Sequence, residues 1–125
     1  DNYRKRTLRE RAELLQTAAS GLITQLLPVL DDFERAERSF DNAKDIAALK
    51  EGVDLIHSKL KKILEQKGLE EIKAIGEEFN TDIHEAVTNI PAENEEMRGK
   101  VVDEIEKGYT LNGTVIRFAR VAVAN

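Results

Sequence analysis

The sequence predicts an α+β protein: a long N-terminal coiled-coil-like helix and a helical hairpin forming a dimeric four-helix bundle, followed by a small, mostly antiparallel β subdomain. Three observations carry this reading. Leu8, Ala12, Leu15, Ala19, Leu22, Leu26, Val29, Phe33, Ala36 and Phe40 are spaced alternately four and three residues apart, the heptad pattern that keeps one narrow stripe facing a partner helix. Ile46, Leu49, Val53, Ile56, Leu60 and Ile63 repeat that spacing. Beyond Gly68 the period changes to short runs rich in β-branched residues, bounded by Gly, Pro, Asn or Glu clusters.

The first helix is expected from about Tyr3 to Phe40, a rod of roughly 55 Å at 1.5 Å per residue. A domain of 125 residues cannot wrap such a rod, so much of the seam needs a second chain. Between Leu22 and Phe33 the additional residues Ile23, Leu27 and Leu30 widen the stripe to a face able to touch two or more helices. Gly21 and Pro28 weaken the helix, at about 1 and 3 kcal/mol in a helix interior, and a kink is expected at Pro28, which removes the bond to the Thr24 carbonyl.

Turn and cap residues fill Ser39 to Lys44, with Asn42 or Asp41 expected as N-cap and Asp45 near the new N-terminus. The second helix is expected from about Lys44 to Lys67, ended by Gly68 as its C′ residue. The short connection folds it back antiparallel on the first. At roughly 36 Å it covers only the latter, wider part of the first helix. Leu8, Ala12 and Leu15 therefore overhang, each exposed Leu forfeiting about 1.5–3 kcal/mol of burial. A parallel twofold dimer removes that loss. The expected dimer interface comprises Leu8, Leu15, Leu22, Leu26, Val29, Phe33, Ile56 and Leu60, and the expected division is 1–68 for stalk and bundle and 69–125 for the β subdomain.

Strands are expected over Leu69–Ile75, Ile83–Ile90, Lys100–Ile105 and Val115–Val123. In the last, Val115, Arg117, Ala119, Val121 and Val123 alternate with Ile116, Phe118, Arg120 and Ala122, and Asn112-Gly113 before it is a turn signal.

Composition narrows the function. Charged residues make up 34% of the chain and aromatics 5%, with no Trp, which suits long solvated helices. The net charge of −5 argues against general affinity for nucleic acid or anionic membrane. The absence of Cys fits a reducing, cytoplasmic setting, and no apolar run reaches the length of a membrane span or signal core. The helical pattern is already under way at the first residues, so a preceding tail is expected. Catalysis has little to work with: His57 and His84 are the only histidines, and His84-Glu85 opens like a zincin helix but has Thr88 where the second histidine belongs. The adjacent carboxylates Asp31-Asp32, Glu70-Glu71, Glu77-Glu78 and Glu95-Glu96 read as solvated faces and turns. No cofactor or metal is expected. Arg4, Lys5, Arg6, Arg9 and Arg11 against Asp1 and Glu10 make the opening basic, the layout of a bZIP arm. The second helix and the β half that follow do not belong to that layout.

With these elements in place, five stretches stand out in order: Leu26-Leu27-Pro28-Val29-Leu30-Asp31-Asp32-Phe33-Glu34-Arg35-Ala36, Glu51-Gly52-Val53, Gly68-Leu69-Glu70-Glu71-Ile72, Phe79-Asn80-Thr81-Asp82-Ile83-His84-Glu85-Ala86-Val87, and Lys107-Gly108-Tyr109-Thr110-Leu111 with Ile116-Arg117 and Val121. The fourth is similar to the pattern FDPxxHEAV. On these residues, and over essentially its whole length, the chain resembles the GrpE family, nucleotide-exchange factors of DnaK-type chaperones. Thr81 stands where the family usually has proline, and Lys107 where glutamine is common.

The resemblance implies a co-chaperone, not an enzyme. A homodimer would bind the ATPase domain of a DnaK-type chaperone, chiefly through one protomer's β subdomain, and open its nucleotide cleft so that ADP leaves. By motif position it places chaperone contacts at Arg35, Gly52, Asn112, Gly113, Thr114, Val115, Arg117 and Val123. The alternative is a generic coiled-coil dimerisation module without exchange activity, with a basic-arm nucleic-acid binder behind it.

Overall fold

The computed structural model describes residues 1–40 and 45–125. Two compact units follow one another along the chain, Asp1–Ile63 and Leu64–Asn125. Among the described residues the architecture is α+β: two long helices, then six short strands.

Helix α1 spans Asn2–Phe40 and keeps its helical assignment through Gly21 and Pro28. Helix α2 spans Ile46–Gln66. Asp41 and Asn42, the expected N-caps, and Lys44, the expected start of α2, lie outside the described residues, as does the Phe40 side chain. Asp45 takes the capping role: its Oδ1 accepts the Ala47 N–H at 2.9 Å, satisfying one of the donors a helix start leaves unpaired. At the other end Gly68, at φ 100°, donates its N–H to the Glu65 carbonyl at 3.0 Å, a bond of the Schellman closure.

Within the helical unit α2 returns along the second half of α1, bringing Lys59 Nζ to 2.9 Å from Asp32 Oδ2. Val29 and Ile56 are buried between the helices, while Leu22, Leu26, Ala36, Leu49 and Leu60 are half-buried. The first two dozen residues bury nothing beyond a half-buried Leu22: Leu8 is 60% exposed and Leu15 66%.

The second unit holds two three-stranded sheets. Strands β1 (Leu69–Glu71), β4 (Tyr109–Leu111) and β5 (Thr114–Arg117) form one in the order β1-β4-β5, antiparallel throughout. Strands β2 (His84–Ile90), β3 (Val101–Glu106) and β6 (Ala119–Ala124) form the other in the order β2-β6-β3. There β6 runs antiparallel to β3 and parallel to β2, so the expected mostly antiparallel character holds for every pair except that one.

Three strand expectations change. The first run ends as a strand at Glu71, after which Ile72 and Ala74 enter the core outside any strand. Tyr109–Leu111 forms its own strand, closing a hairpin with β5 across Asn112-Gly113. The long final run divides at Phe118 and serves both sheets. Its expected two-face alternation holds at Ala119, Arg120 and Val121, where Arg120 is exposed between two buried neighbours, and fails beyond them, where Ala122, Val123 and Ala124 are all buried. Ile72, Ala74, Val101, Ala119, Val121 and Val123 form the core, with Phe79, Ile83 and Val115 against it.

Candidate functional site

The sequence-predicted partner contacts fall on two surfaces, one in each unit. In the helical unit Arg35 and Gly52 line the same groove between α1 and α2, together with Asp32, Ala36, Leu49 and Lys59. Asp32 organises its charges: one carboxylate oxygen takes Lys59, the other Arg35 Nη1 at 3.1 Å. The Lys59 hydrogen bond, followed by the charges and hydrogen bond around it, holds the Asp32 carboxyl below the usual carboxylate range. Arg35 is thereby oriented but remains largely exposed. A Cβ added at Gly52 would meet nothing within 4 Å, so within a single chain this glycine leaves open room and is not a point of close helix packing.

In the β unit the hairpin between β4 and β5 presents the remaining candidates. Asn112 and Gly113 take φ of 50° and 86°, and Leu111 pairs with Thr114 across them. That is a two-residue turn with both central residues left-handed, the type I′ geometry that Asn-Gly favours and that matches the strand twist. Asn112, Gly113 and Thr114 are exposed, and Val115 is half-buried against the core. Arg117 is exposed on one side yet held on three: Nε donates to the Lys107 carbonyl at 2.9 Å, Nη1 lies 3.1 Å from Glu106 Oε1, and the guanidinium stands 5.3 Å from the Tyr109 ring centroid. Val123 belongs to the core, where it can act on the surface only through β6. Ile116 and Phe118, beside these residues, are large apolar side chains left in solvent.

The residues expected at a dimer interface divide in the same way. Val29 and Ile56 are buried within the helical unit, and Leu22, Leu26 and Leu60 are half-covered. Leu8, Leu15 and Phe33 face solvent, joined by Leu14, Ile23, Leu27, Leu30 and Leu55. Together they leave an apolar surface exposed along much of α1.

Two site features escape the sequence. The Asp32–Lys59 contact joins residues 27 positions apart, and only the register of the two helices creates it. Asn112 donates its backbone N–H to the Gly68 carbonyl, a contact that needs the β1–β4 pairing. Among the described residues no group of three or more His, Cys, Asp or Glu is placed to hold a metal ion, and no helix is long and apolar enough to cross a membrane.

The family model described as GrpE matches residues 1–125. The chain is similar to the Protein GrpE of Bacteroides thetaiotaomicron, 48% identical over 98% of this chain and 64% of the relative. It is similar to that of Parabacteroides distasonis, 50% identical over 98% of this chain and 63% of the relative. The Protein GrpE of Methanobrevibacter smithii is 40% identical over 98% and 64%. The chain thus spans just under two thirds of the length of these curated relatives. With a family model covering every residue and relatives at this identity, the chain belongs to the GrpE family.

Proposed function

We propose that this chain is a cytoplasmic co-chaperone, not an enzyme, which binds the ATPase domain of a DnaK-type chaperone as a homodimer and opens its nucleotide cleft so that ADP leaves. The observation that carries the reading is membership of the GrpE family over the full 125 residues. Residues 1–68 would supply stalk and dimeric four-helix bundle, and 69–125 the chaperone-binding wing. The apolar surface that one copy leaves in water along α1 supports a second copy as its cover. An exposed type I′ turn at Asn112-Gly113 supports a wedge in the wing, with Thr114 and Arg117 beside it and Val115 and Val123 supporting from the core. Arg35 and the open space at Gly52 would add the contact from the helical unit.

No group of this chain need touch the nucleotide. Exchange factor and ADP bind the same ATPase domain in different conformations, so each weakens the other by the same factor, about 5- to 150-fold for a typical coupling. Release of labelled ADP from a DnaK-type ATPase domain tests this directly. The protein should accelerate release, and ADP should weaken its binding to the chaperone. A dimer in sedimentation that leaves ADP release unchanged would reduce the chain to a dimerisation module.

A further inference from the structure

We infer that the His84 ring is a proton-operated latch on the turn leading into β2: neutral, it holds the Asn80 N–H at the head of the strand, and protonated, it lets that N–H go. His84 is the buried polar residue of the described chain, 3% exposed at the first position of β2. It grips Asn80 twice. Its backbone N–H donates to the Asn80 carbonyl at 2.8 Å, and its Nδ1 accepts the Asn80 N–H at 3.0 Å. A ring nitrogen that accepts an N–H carries no proton, so the neutral ring keeps its hydrogen on Nε2. Protonation places a second N–H at Nδ1, facing the Asn80 N–H donor head on, and turns an attraction into a repulsion.

The surroundings set when this happens. The Phe79 ring lies 6.0 Å away, tilted by 30°, and Ala119 of β6, paired with His84, brings no charge. Glu77, from the segment before the turn, and Glu104, from β3, both favour the imidazolium. Lys73, Glu78 and Lys100 line the same cleft. Burial is the larger influence and favours the neutral ring, holding its pKa below the usual 6.5. His84 Nε2 and Glu104 Oε2 are both buried without a hydrogen-bond partner, so the ring lacks the second bond that would fix it in place if the first were lost. The unfolded ring thus takes a proton more readily than the folded one. The latch contributes fully above pH 6.5, and each pH unit below it weakens the closed turn by up to about tenfold, until the folded ring itself titrates.

The latch sits at a junction. Ala119 N–H donates to the Ile83 carbonyl at 3.1 Å, where β2 enters its parallel pairing with β6. The preceding segment hangs from Gly99 and Val101 by Phe79 N–H, Gly76 N–H and the Glu77 carbonyl. Losing the ring bond therefore loosens the entry to β2, while the His84 and Ile83 N–H bonds to the Asn80 carbonyl and the far attachment hold.

Nitrogen-15 NMR of the full chain tests it. At pH 7.5 the His84 ring should be protonated at Nε2 alone. Protection of the Asn80 amide, corrected for the intrinsic pH dependence of exchange, should fall severalfold between pH 7.5 and 5.5. His84→Asn places an acceptor oxygen where Nδ1 stands and cannot titrate, so its Asn80 protection should stay flat. His57→Gln, at the other histidine, should behave as the wild type. A ring protonated at Nδ1 at pH 7.5, Asn80 protection that ignores pH, or a His84→Asn variant that follows the wild-type profile would each overturn the latch. Should His84→Asn fail to fold, the wild-type tautomer and exchange profile decide alone.

Discussion

The backbone N–H of Asn112 donates to the carbonyl of Gly68 at 3.0 Å, fastening the tip of the β4–β5 hairpin to the residue that closes α2. Gly68 serves both neighbours because it has no side chain. Its φ of 100° lies in the left-handed region, and a Cβ there would run into the Asn112 carboxamide. Gly68→Ala should therefore cost about 1–2 kcal/mol from the backbone alone, with the collision added. Asn112→Gly in the same background removes the collision and leaves the strain. Thermal unfolding should show the double variant more stable than Gly68→Ala and less stable than the wild type.

Gly108 is constrained from a different side. A methyl group there would strike the backbone of Phe118 and Ala119, where β5 gives way to β6, and backbone cannot swing aside as a side chain can. Gly108→Ala should destabilise the β unit by about 3 kcal/mol. Urea denaturation checks it, and a midpoint equal to the wild type would show that β6 shifts more easily than its double pairing implies.

Along α1 the two ends should answer differently to charge. Leu8 and Leu15 stand in solvent in a single chain, whereas Leu26 is half-buried at the level where α2 packs. Replacing Leu8 and Leu15 with Lys should fray the stalk and leave sedimentation at the dimer mass. Replacing Leu26 and Phe33 with Lys should dissociate it, since each buried apolar side chain contributes about 1.5–3 kcal/mol. Equal behaviour of the two pairs would dissolve the distinction between stalk and bundle.

Asp32 gives the helical unit an acid response of its own. Its carboxyl titrates below the ordinary 3.8 because Lys59 and Arg35 hold the charged form. The stabilisation is complete above pH 3.8 and is lost as pH falls through the lower folded value. Asp32→Asn should flatten the acid profile of helicity in that range, followed by circular dichroism, and high salt should blunt the wild-type profile.

Much of this was legible in the residues. The alternating steps of Leu8 to Phe40 and Ile46 to Ile63 fixed both helices to within a few residues, because packing one face of a helix leaves a period that sequence preserves. Asn112-Gly113 announced its turn because few other residues tolerate two left-handed positions in succession. The division at Phe118 was not legible: alternation says that a run is extended, not that its two halves pair with different neighbours. Parity places Ala122 in one set with Arg120, yet Arg120 is exposed and Ala122 is buried, so alternation alone does not tell which end of β6 is covered on both sides. Among the candidate contacts, the exposure of Thr114 and Arg117 follows from their polarity, while Val123 carries no mark that tells core from surface. Nor could the Asp32–Lys59 contact be foreseen, since pairing across a helical hairpin depends on a register that neither helix encodes separately.

Phe118 hands the chain from the edge strand β5 to β6, which is stitched to β3 on one side and β2 on the other. A push on the Asn112-Gly113 turn therefore does not peel a loose flap. It travels along the five residues from Thr114 to Phe118 into a strand held on both edges, so a load at the tip is borne by the whole sheet of β2, β6 and β3.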